Sequence, residues 1–391
     1  MDNFEYQNST CIVFGKGEVS KVGKVVRPLG SNILLVTGQG SLKKSGLYQR
    51  IRSLLEEEGI TVVDLDRVQS NPLLSRTRDG IKMARNHGIQ AVLALGGGSV
   101  MDTAKAVAVG AVMEQGDVWD FFTKERTIEK ALPVVTVPTL AASGSEMNGF
   151  MVLTDEKSKH KLAAGSPHLY PKFSILDPTT TYTVPADYTA YGGVDAVCHL
   201  LEPYFNGPAP NTPLQDRMAE GLIRTIMDAT ETCIKDPEDY EARATMMWAS
   251  SLALCGLTKA GVGHHHFPVH LIEHAVSVLF SVAHGAGLAA LLPGWMSWRA
   301  HDHPKKPAQF GERIWGISGK DLSEKAEAGI DALRSWFDSI GCPKSLSDIG
   351  IRNEDHERLA ENAMLQAKIW GISNTYSVEN IKAVLAHCQI Q

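Results

Sequence analysis

Near Pro185 the chain changes rhythm, and that change limits the folds open to it. Before it, short apolar runs alternate with amphipathic stretches. Asn32–Thr37, Thr61–Leu65, Ala91–Leu95, Pro133–Val137 and Phe173–Leu176 read as strands, while Leu47–Glu58, Arg78–Asn86 and Val100–Val112 have helical spacing. Strands that are apolar on both faces and alternate with helices specify a parallel sheet covered on both sides. Beyond Pro185 the strand pattern disappears. Leu214–Cys233, Tyr240–Leu257, Val269–Leu279, His284–Trp298, Pro307–Trp315, Leu322–Ile340 and Val378–Cys388 read as helices, separated by breakers such as Asp236-Pro237, Gly261, Pro293-Gly294 and Gly341-Cys-Pro343. The expectation is an α/β domain over residues 1–185 and an all-helical domain over 186–391.

At 391 residues the chain is long enough for both cores. A net charge of −6 disfavours nucleic acid or an anionic membrane as a general partner. The six cysteines form no CxxC pair, which suits a reducing compartment and argues against cysteine metal ligation. The start, Met1-Asp-Asn-Phe-Glu-Tyr6, lacks the basic and apolar regions of a signal peptide, and no apolar run is long enough to span a bilayer. A soluble cytoplasmic protein is expected.

Three small-residue loops each follow a predicted strand. Leu95-Gly-Gly-Gly-Ser-Val-Met-Asp102 stands where a strand hands over to a helix, where backbone N–H groups and the helix dipole favour an anion. Ser99 and Asp102 have capping-box spacing, so a tight turn with a helix cap explains the same residues. Gly38-Gln-Gly-Ser41 lacks both the third glycine of a dinucleotide fingerprint and the lysine of a Walker loop. It offers no carboxylate for ribose hydroxyls, and Lys43 and Lys44 follow, which favours NADP; an ordinary solvated helix start explains those lysines equally well. The third loop, Pro138 to Asn148, again follows a strand. Ligands of open α/β sheets gather outside the carboxyl ends of the strands, so three such loops together point to a nucleotide crevice.

The helical half carries a second constellation. Asp195 and His199 stand four apart, as do His270 and His274, so each pair shares a helix face. His284 is harder to place, because an unbroken helix would put it about 21 Å from His270 at 1.5 Å per residue. Either His284 is no ligand, or the chain breaks and a second helix returns to the same point. One carboxylate and three neutral imidazoles would suit Fe²⁺, Zn²⁺ or a similar divalent ion with a position left open. His264-His265-His266 also stands out, but consecutive residues point in different directions and at most one faces a site.

Along nearly its whole length the chain resembles the iron-containing (group III) alcohol dehydrogenases. Gly96-Gly-Gly-Ser-Val-Met-Asp102, Pro138-Thr-Leu-Ala-Ala-Ser-Gly-Ser-Glu146, Gly193-Val-Asp-Ala-Val-Cys-His199 and His270…His274…His284-Gly285 fall in that family's order and spacing. Leu214-Gln-Asp-Arg-Met-Ala-Glu-Gly221 and Tyr240-Glu-Ala-Arg-Ala-Thr-Met-Met-Trp248 resemble its butanol dehydrogenase and aldehyde reductase branch. The resemblance implies a Rossmann-like nucleotide-binding domain followed by an all-α metal-binding domain, a dehydroquinate synthase-like fold. It implies metal ligation by Asp195, His199, His270 and His284, with a chain break near Phe280 to Ala283. It places Gly38, Gly40, Ser41, Gly97, Gly98, Ser99, Asp102, Thr139, Leu140, Ser143, Asn148 and Lys161 at the cofactor, Lys161 at its ribose. Asp102 and His274 are the catalytic candidates, His274 as a proton relay beside the nicotinamide. Leu140 and Ser143 depart from threonines common in the wider family, and the triplet at 264–266 is no signature of it.

The expected activity is reversible hydride transfer between a primary alcohol and NADP(H), with NAD(H) as an alternative, in a homodimer that binds Fe²⁺ or another divalent metal. A glycerol or polyol dehydrogenase on the same scaffold is the enzymatic alternative. A metal-dependent hydrolase using the same ligands to activate water is a third reading, and a non-catalytic binding protein a fourth.

Overall fold

The computed structural model describes residues 1–209, 211–319 and 321–389; the Ser41 side chain lies outside the described set. Two compact units emerge. One comprises Gln7–Val184 and Asp236–Cys255, the other Met1–Tyr6, Pro185–Lys235 and Gly256–Gln391.

The first unit is built on a six-stranded parallel sheet. Its strands are β1 (Cys11–Phe14), β2 (Asn32–Thr37), β3 (Thr61–Leu65), β4 (Ala91–Gly96), β5 (Val134–Pro138) and β8 (Phe173–Leu176), in the order β1-β8-β5-β4-β2-β3. An antiparallel hairpin, β6 (Phe150–Asp155) with β7 (His160–Gly165), stands apart from it. From β2 the chain steps outward to β3, then returns to place β4, β5 and β8 on the other side. The sheet therefore has its topological switch point between β2 and β4, the position where such sheets bind ligands. Thr37 sits opposite Leu95 and Gly96 opposite Pro138, so the three small-residue loops leave the sheet at one level.

Helices α1 (Val22–Val26), α2 (Ser41–Lys44), α3 (Leu47–Glu57), α4 (Leu74–Asn86) and α5 (Gly98–Ala111) cover the sheet. Almost every residue of α5 is buried, from Val100 through Gly110. Its alanines and Gly110 permit this close approach; a Cβ on Gly110 would fall 2.2 Å from the Ile81 side chain. The expected capping box at Ser99 and Asp102 does not form. The helix begins two residues earlier, with Gly97 as an N-cap that has no side chain to bond, and the Asp102 carboxylate turns elsewhere.

The second unit is helical: α6 (Ala186–Asn206), α7 (Pro213–Lys235), α9 (Pro268–Phe280), α10 (His284–Asp302), α11 (Lys305–Trp315), α12 (Leu322–Ser339), α13 (His356–Ile369) and α14 (Val378–His387). Trp295 and Phe310 are fully buried, and Phe205 packs against both. The remaining helix, α8 (Tyr240–Leu254), belongs to the sheet unit, where its Ser251 hydroxyl donates to Glu146. It stops before the expected Leu257 because Gly256 adopts φ 97°. The break after α9 is present: Ser281 takes the left-handed φ of 56°, and α10 starts at His284. No helix among the described residues is long and apolar enough to cross a membrane.

Candidate functional site

In the helical unit, one carboxylate oxygen gathers three imidazoles. Asp195 and His199 project from one face of α6, His270 comes from α9, and His284 is the first residue of α10. From Asp195 Oδ1, His199 Nε2 and His270 Nε2 lie at 3.4 Å and His284 Nε2 at 3.7 Å. Ligand atoms about 2.0–2.1 Å from a tetrahedral ion are separated by roughly 3.3–3.4 Å, so these spacings fit the edges of a small divalent coordination shell. Asp195, His199 and His270 are buried, whereas the His284 side chain is 31% exposed, so the cluster is closed on one side and more open on the other.

Two fully buried glutamates absent from the sequence reading complete the arrangement. Glu202, two turns along α6 from Asp195, accepts from His270 Nδ1 and from the Val269 backbone N–H at 2.5 Å. Glu273 accepts from His284 Nδ1 with one oxygen and from the Ser277 hydroxyl with the other. Gly287 gives Glu273 room, since a Cβ there would lie 3.0 Å from its carboxylate. Each glutamate fixes a ring so that Nε2 faces the cluster, the carboxylate–histidine arrangement that orients metal ligands. Their only sequence signal is a carboxylate three residues after a histidine on an otherwise apolar helix, as in His199…Glu202 and His270…Glu273.

The electrostatics follow. Burial would raise the Asp195 carboxyl, but His199 first, with His270 and His284, holds it well below the ordinary carboxylate range. Burial lowers His199 to about 3 despite Asp195. For His270, burial is outweighed by Glu202 and Asp195, which push it up to about 10. An ion arriving at this site therefore competes with the proton on His270 Nε2.

His274 lies one turn beyond His270. Its Nδ1 is 2.9 Å from Gln366 Oε1 on α13, a helix the sequence reading left out, and its ring centroid is 6.1 Å from that of His284. Within the triplet, the His264 and His266 rings pack edge to face with centroids 4.5 Å apart. His264 is exposed, the His265 Nδ1 bonds the Gly263 carbonyl at 3.0 Å, and the His266 backbone is clamped by Asn206. Phe267, immediately after the triplet, reaches the His199 and His270 rings instead.

In the sheet unit, the loops after β2, β4 and β5 come together. Gly98 is required by the fold, for a Cβ would meet the Ser143 hydroxyl at 2.7 Å. Gly97, beside Leu140, has only ordinary contacts, as does Gly38, and Gly40 faces open space. Bare backbone that the protein itself does not demand suits close approach by a phosphate group. Thr139 donates its backbone N–H to Gly96 at 3.2 Å, and the Ser99 carbonyl accepts from Thr103. Asp102, Asn148 and Lys161 lie deeper. Asp102 accepts from the Ser145 hydroxyl at 2.8 Å and from the Val152 N–H at 3.1 Å, so one oxygen is engaged by the loop after β5 and the other by the hairpin. Asn148 Oδ1 accepts from Phe150 and from Lys105, and buried Lys161 on β7 lies within electrostatic reach of Asp102. At the centre, Lys105 Nζ donates to the Ser145 hydroxyl and to the Asn148 and Phe150 carbonyls at 2.8–2.9 Å. Burial brings this ammonium down to about 8 in spite of Asp102 and Glu146.

A switch-point sheet with a phosphate-type loop cluster stands in one chain with helices that bring a carboxylate and three imidazoles together, an arrangement suited to a metal-dependent dehydrogenase that uses a dinucleotide. Residues 9–178 match the model of the iron-containing alcohol dehydrogenases, and residues 189–388 match that of the C-terminal region of the same family. The chain belongs to the iron-containing alcohol dehydrogenase family and is an oxidoreductase. It is 41% identical to the probable NADH-dependent butanol dehydrogenase 1 of Bacillus subtilis, over 98% of this chain and 99% of that one. Identity to the NADPH-dependent aldehyde reductase YqhD of Escherichia coli is 34%, over 94% and 95%. The crystal structure of an NADH-dependent butanol dehydrogenase A from Thermotoga maritima superposes with a TM-score of 0.95 at 41% identity, covering 100% of this chain and 99% of that one.

Proposed function

We propose that this dehydrogenase interconverts primary alcohols and aldehydes at a divalent ion held by Asp195, His199, His270 and His284. The convergence of three Nε2 atoms on Asp195 Oδ1 carries the reading. The donor set of one carboxylate and three imidazoles accepts Fe²⁺, Zn²⁺ or a similar ion. The α/β unit is the nucleotide-binding part, its phosphates lying on the backbone of Gly38, Gly40, Gly97 and Gly98. NADP(H) is the preferred dinucleotide, supported by the lack of a carboxylate in Gly38–Ser41 and by Lys43 and Lys44; NAD(H) is the second choice. Relatives at 38–41% identity are named NADH-dependent and one at 34% NADPH-dependent, so the names lean towards NAD(H) and the NADP(H) reading rests on the turn residues alone. The chain works as a homodimer; the outer edge of β1 has no partner strand among the described residues.

A bound divalent ion supplies Lewis acidity that eases loss of the alcohol proton, and the dinucleotide takes the hydride. The chain does the rest. Glu202 and Glu273 keep the His270 and His284 rings turned so that Nε2 presents its lone pair. Gln366 accepts from His274 Nδ1–H, which leaves Nε2 as the nitrogen that takes up the proton in alcohol oxidation and returns it in aldehyde reduction.

The test is a panel of short-chain aldehydes, alcohols and glycerol, assayed with NADPH and NADH after loading with Fe²⁺, Zn²⁺ or Mn²⁺. Metal-dependent consumption of reduced dinucleotide with aldehydes is expected, abolished together with metal retention in His270→Ala. His274→Ala should slow turnover by about 100-fold and alter its pH profile. Unchanged rate and profile would remove His274 from the reaction, and turnover confined to glycerol would replace the substrate class.

A further inference from the structure

Residues 256–267 lead into α9, which carries His270, and lie wholly within the helical unit. They are held from several sides. Gln215 Nε2 donates to the Ala260 carbonyl at 2.6 Å, Asp2 N–H to that of Gly261 at 2.9 Å, and Ala209 N–H to that of Val262 at 3.1 Å. Asn206 accepts from the His266 N–H at 3.0 Å and donates to its carbonyl at 2.9 Å. Backbone pinned at four successive points presents its side chains in fixed places, as a substrate-facing wall must.

Two of those side chains stand beside the candidate ligands. The Phe267 ring meets those of His199 and His270 in T-shaped contacts, with centroids 6.3 and 5.7 Å apart. Half-buried Lys259 places Nζ 4.9 Å from the same Phe267 centroid, where an aromatic ring attracts a cation, and lies within electrostatic reach of His199. A positive charge there works against an ion held by His199. The carboxylates of the cluster face other partners: Glu202 binds His270, Glu273 binds His284 and Ser277, and Asp195 faces three Nε2 atoms. His265 is not equivalent to the ammonium, because burial, followed by Lys259, brings it down to about 4 and leaves it neutral near pH 7. An ammonium set next to a cation site is compensated when the substrate itself brings negative charge.

We propose that Lys259 binds an anionic group at the far end of the substrate, so that the enzyme prefers short aldehydes carrying a carboxylate or sulfonate to uncharged ones. The proposal rests on the alcohol–aldehyde reaction assigned above to the Asp195–His284 cluster, and it names the substrate class of that site. The reacting end lies at the cluster, the carbon chain passes Phe267, and the oxyanion meets the ammonium in a charge-assisted contact. Phe267 touches both ends of this path, which suits a chain of a few carbons and not a long one.

Two measurements on the full chain test it. One is steady-state turnover of butanal, succinic semialdehyde and sulfoacetaldehyde by the metal-loaded protein. The other is calorimetric titration with 1-butanol, 4-hydroxybutyrate and isethionate without dinucleotide, which reads binding in the absence of reaction. An anionic aldehyde should exceed butanal in kcat/KM by at least about tenfold, chiefly through KM, the range for a charge-assisted contact. The matching anionic alcohol should bind more tightly than 1-butanol by a similar factor, and the preferred member of each set tells carboxylate from sulfonate. Lys259→Met keeps an apolar stem against Phe267 but removes the charge, and should bring both ratios close to one. Lys259→Arg keeps the charge and should retain most of the preference. Equal kcat/KM for charged and uncharged aldehydes in the wild type would overturn the proposal, as would an anion preference that survives in Lys259→Met. A KM rise of the same size for butanal in Lys259→Met would overturn it too, because the ammonium would then only balance the charge of the cluster. Butanal turnover without any anion preference sinks this inference alone, whereas failure to turn over any aldehyde sinks the reaction beneath it.

Discussion

Glu202 and Glu273 bear on the candidate metal site almost as directly as the residues whose rings they hold. Each is fully buried and each aims one imidazole, whereas His199 Nδ1 has no hydrogen-bond partner among the described residues. Two of the three histidines thus have a second carboxylate on Nδ1 and the third does not. Replacing either glutamate with glutamine preserves shape and an acceptor oxygen but removes the carboxylate that orients its histidine. Glu202→Gln and Glu273→Gln should each weaken metal affinity by about 10–100-fold, measured by chelator competition and by metal content after dialysis. Retention equal to wild type would mean that the carboxylates serve only packing. Glu202 has a second task, accepting from Val269 N–H in the first turn of α9, where the positive end of the helix dipole favours an anion. The sequence made Asp195 and His199 legible because helical period alone puts residues four apart on one face. Glu202 was not legible, since its role exists only once α6 and α9 meet.

At the scale of elements, α5 and the β6–β7 hairpin depend on one buried ammonium. Lys105 satisfies the Asn148 and Phe150 carbonyls and the Ser145 hydroxyl, and offsets Asp102 and Glu146. Lys105→Met would leave those acceptors and charges uncompensated, at a cost of about 3–5 kcal/mol near neutral pH. The pH dependence has a definite sign. The folded-state value of about 8 lies below the ordinary 10.5, so across that window the unfolded chain binds more protons than the folded one. The Lys105 contribution to stability therefore rises with pH between those values. Urea unfolding from pH 7 upward should show that rise in the wild type and not in Lys105→Met; parallel curves would exclude Lys105 as its source. The same region shows where pattern reading stops. β1 is four residues of an edge strand with exposed ends, too short to give an alternation. The hairpin turns through Asp155, whose carboxylate collects the Lys157 and Ser158 N–H groups, without any Asn-Gly or Asp-Gly step to announce it. The spacing of Ser99 and Asp102 suggested a cap, but Ser145 and Val152 compete for that carboxylate, and tertiary contacts win.

Across the whole molecule, the alternation of strands and helices up to Pro185 was enough to specify a parallel sheet, because strands buried on both faces need helices on each side. The placement of α8 was not readable, since nothing in Tyr240–Leu254 distinguishes a helix of one unit from a helix of the other until Ser251 meets Glu146. All four candidate ligands lie in the helical unit, on three helices separated in sequence. An ion binding the folded arrangement and not the unfolded chain stabilises it by about 2.7 kcal/mol at a hundredfold excess over Kd and about 4 at a thousandfold. That stabilisation should be local to the elements the ion joins. Without it, the carboxylates of Asp195, Glu202 and Glu273 crowd one buried site with His270 as their chief counter-charge. Hydrogen exchange of metal-stripped protein should accordingly show α6, α9 and the first turns of α10 losing protection, while β4 and β5 exchange as before. Readdition of Fe²⁺ or Zn²⁺ should restore the helices, and His270→Ala should resemble the stripped protein whether or not metal is added. Loss spread evenly over sheet and helices would show instead that the ion acts on global stability, and no change at all would remove it from the fold.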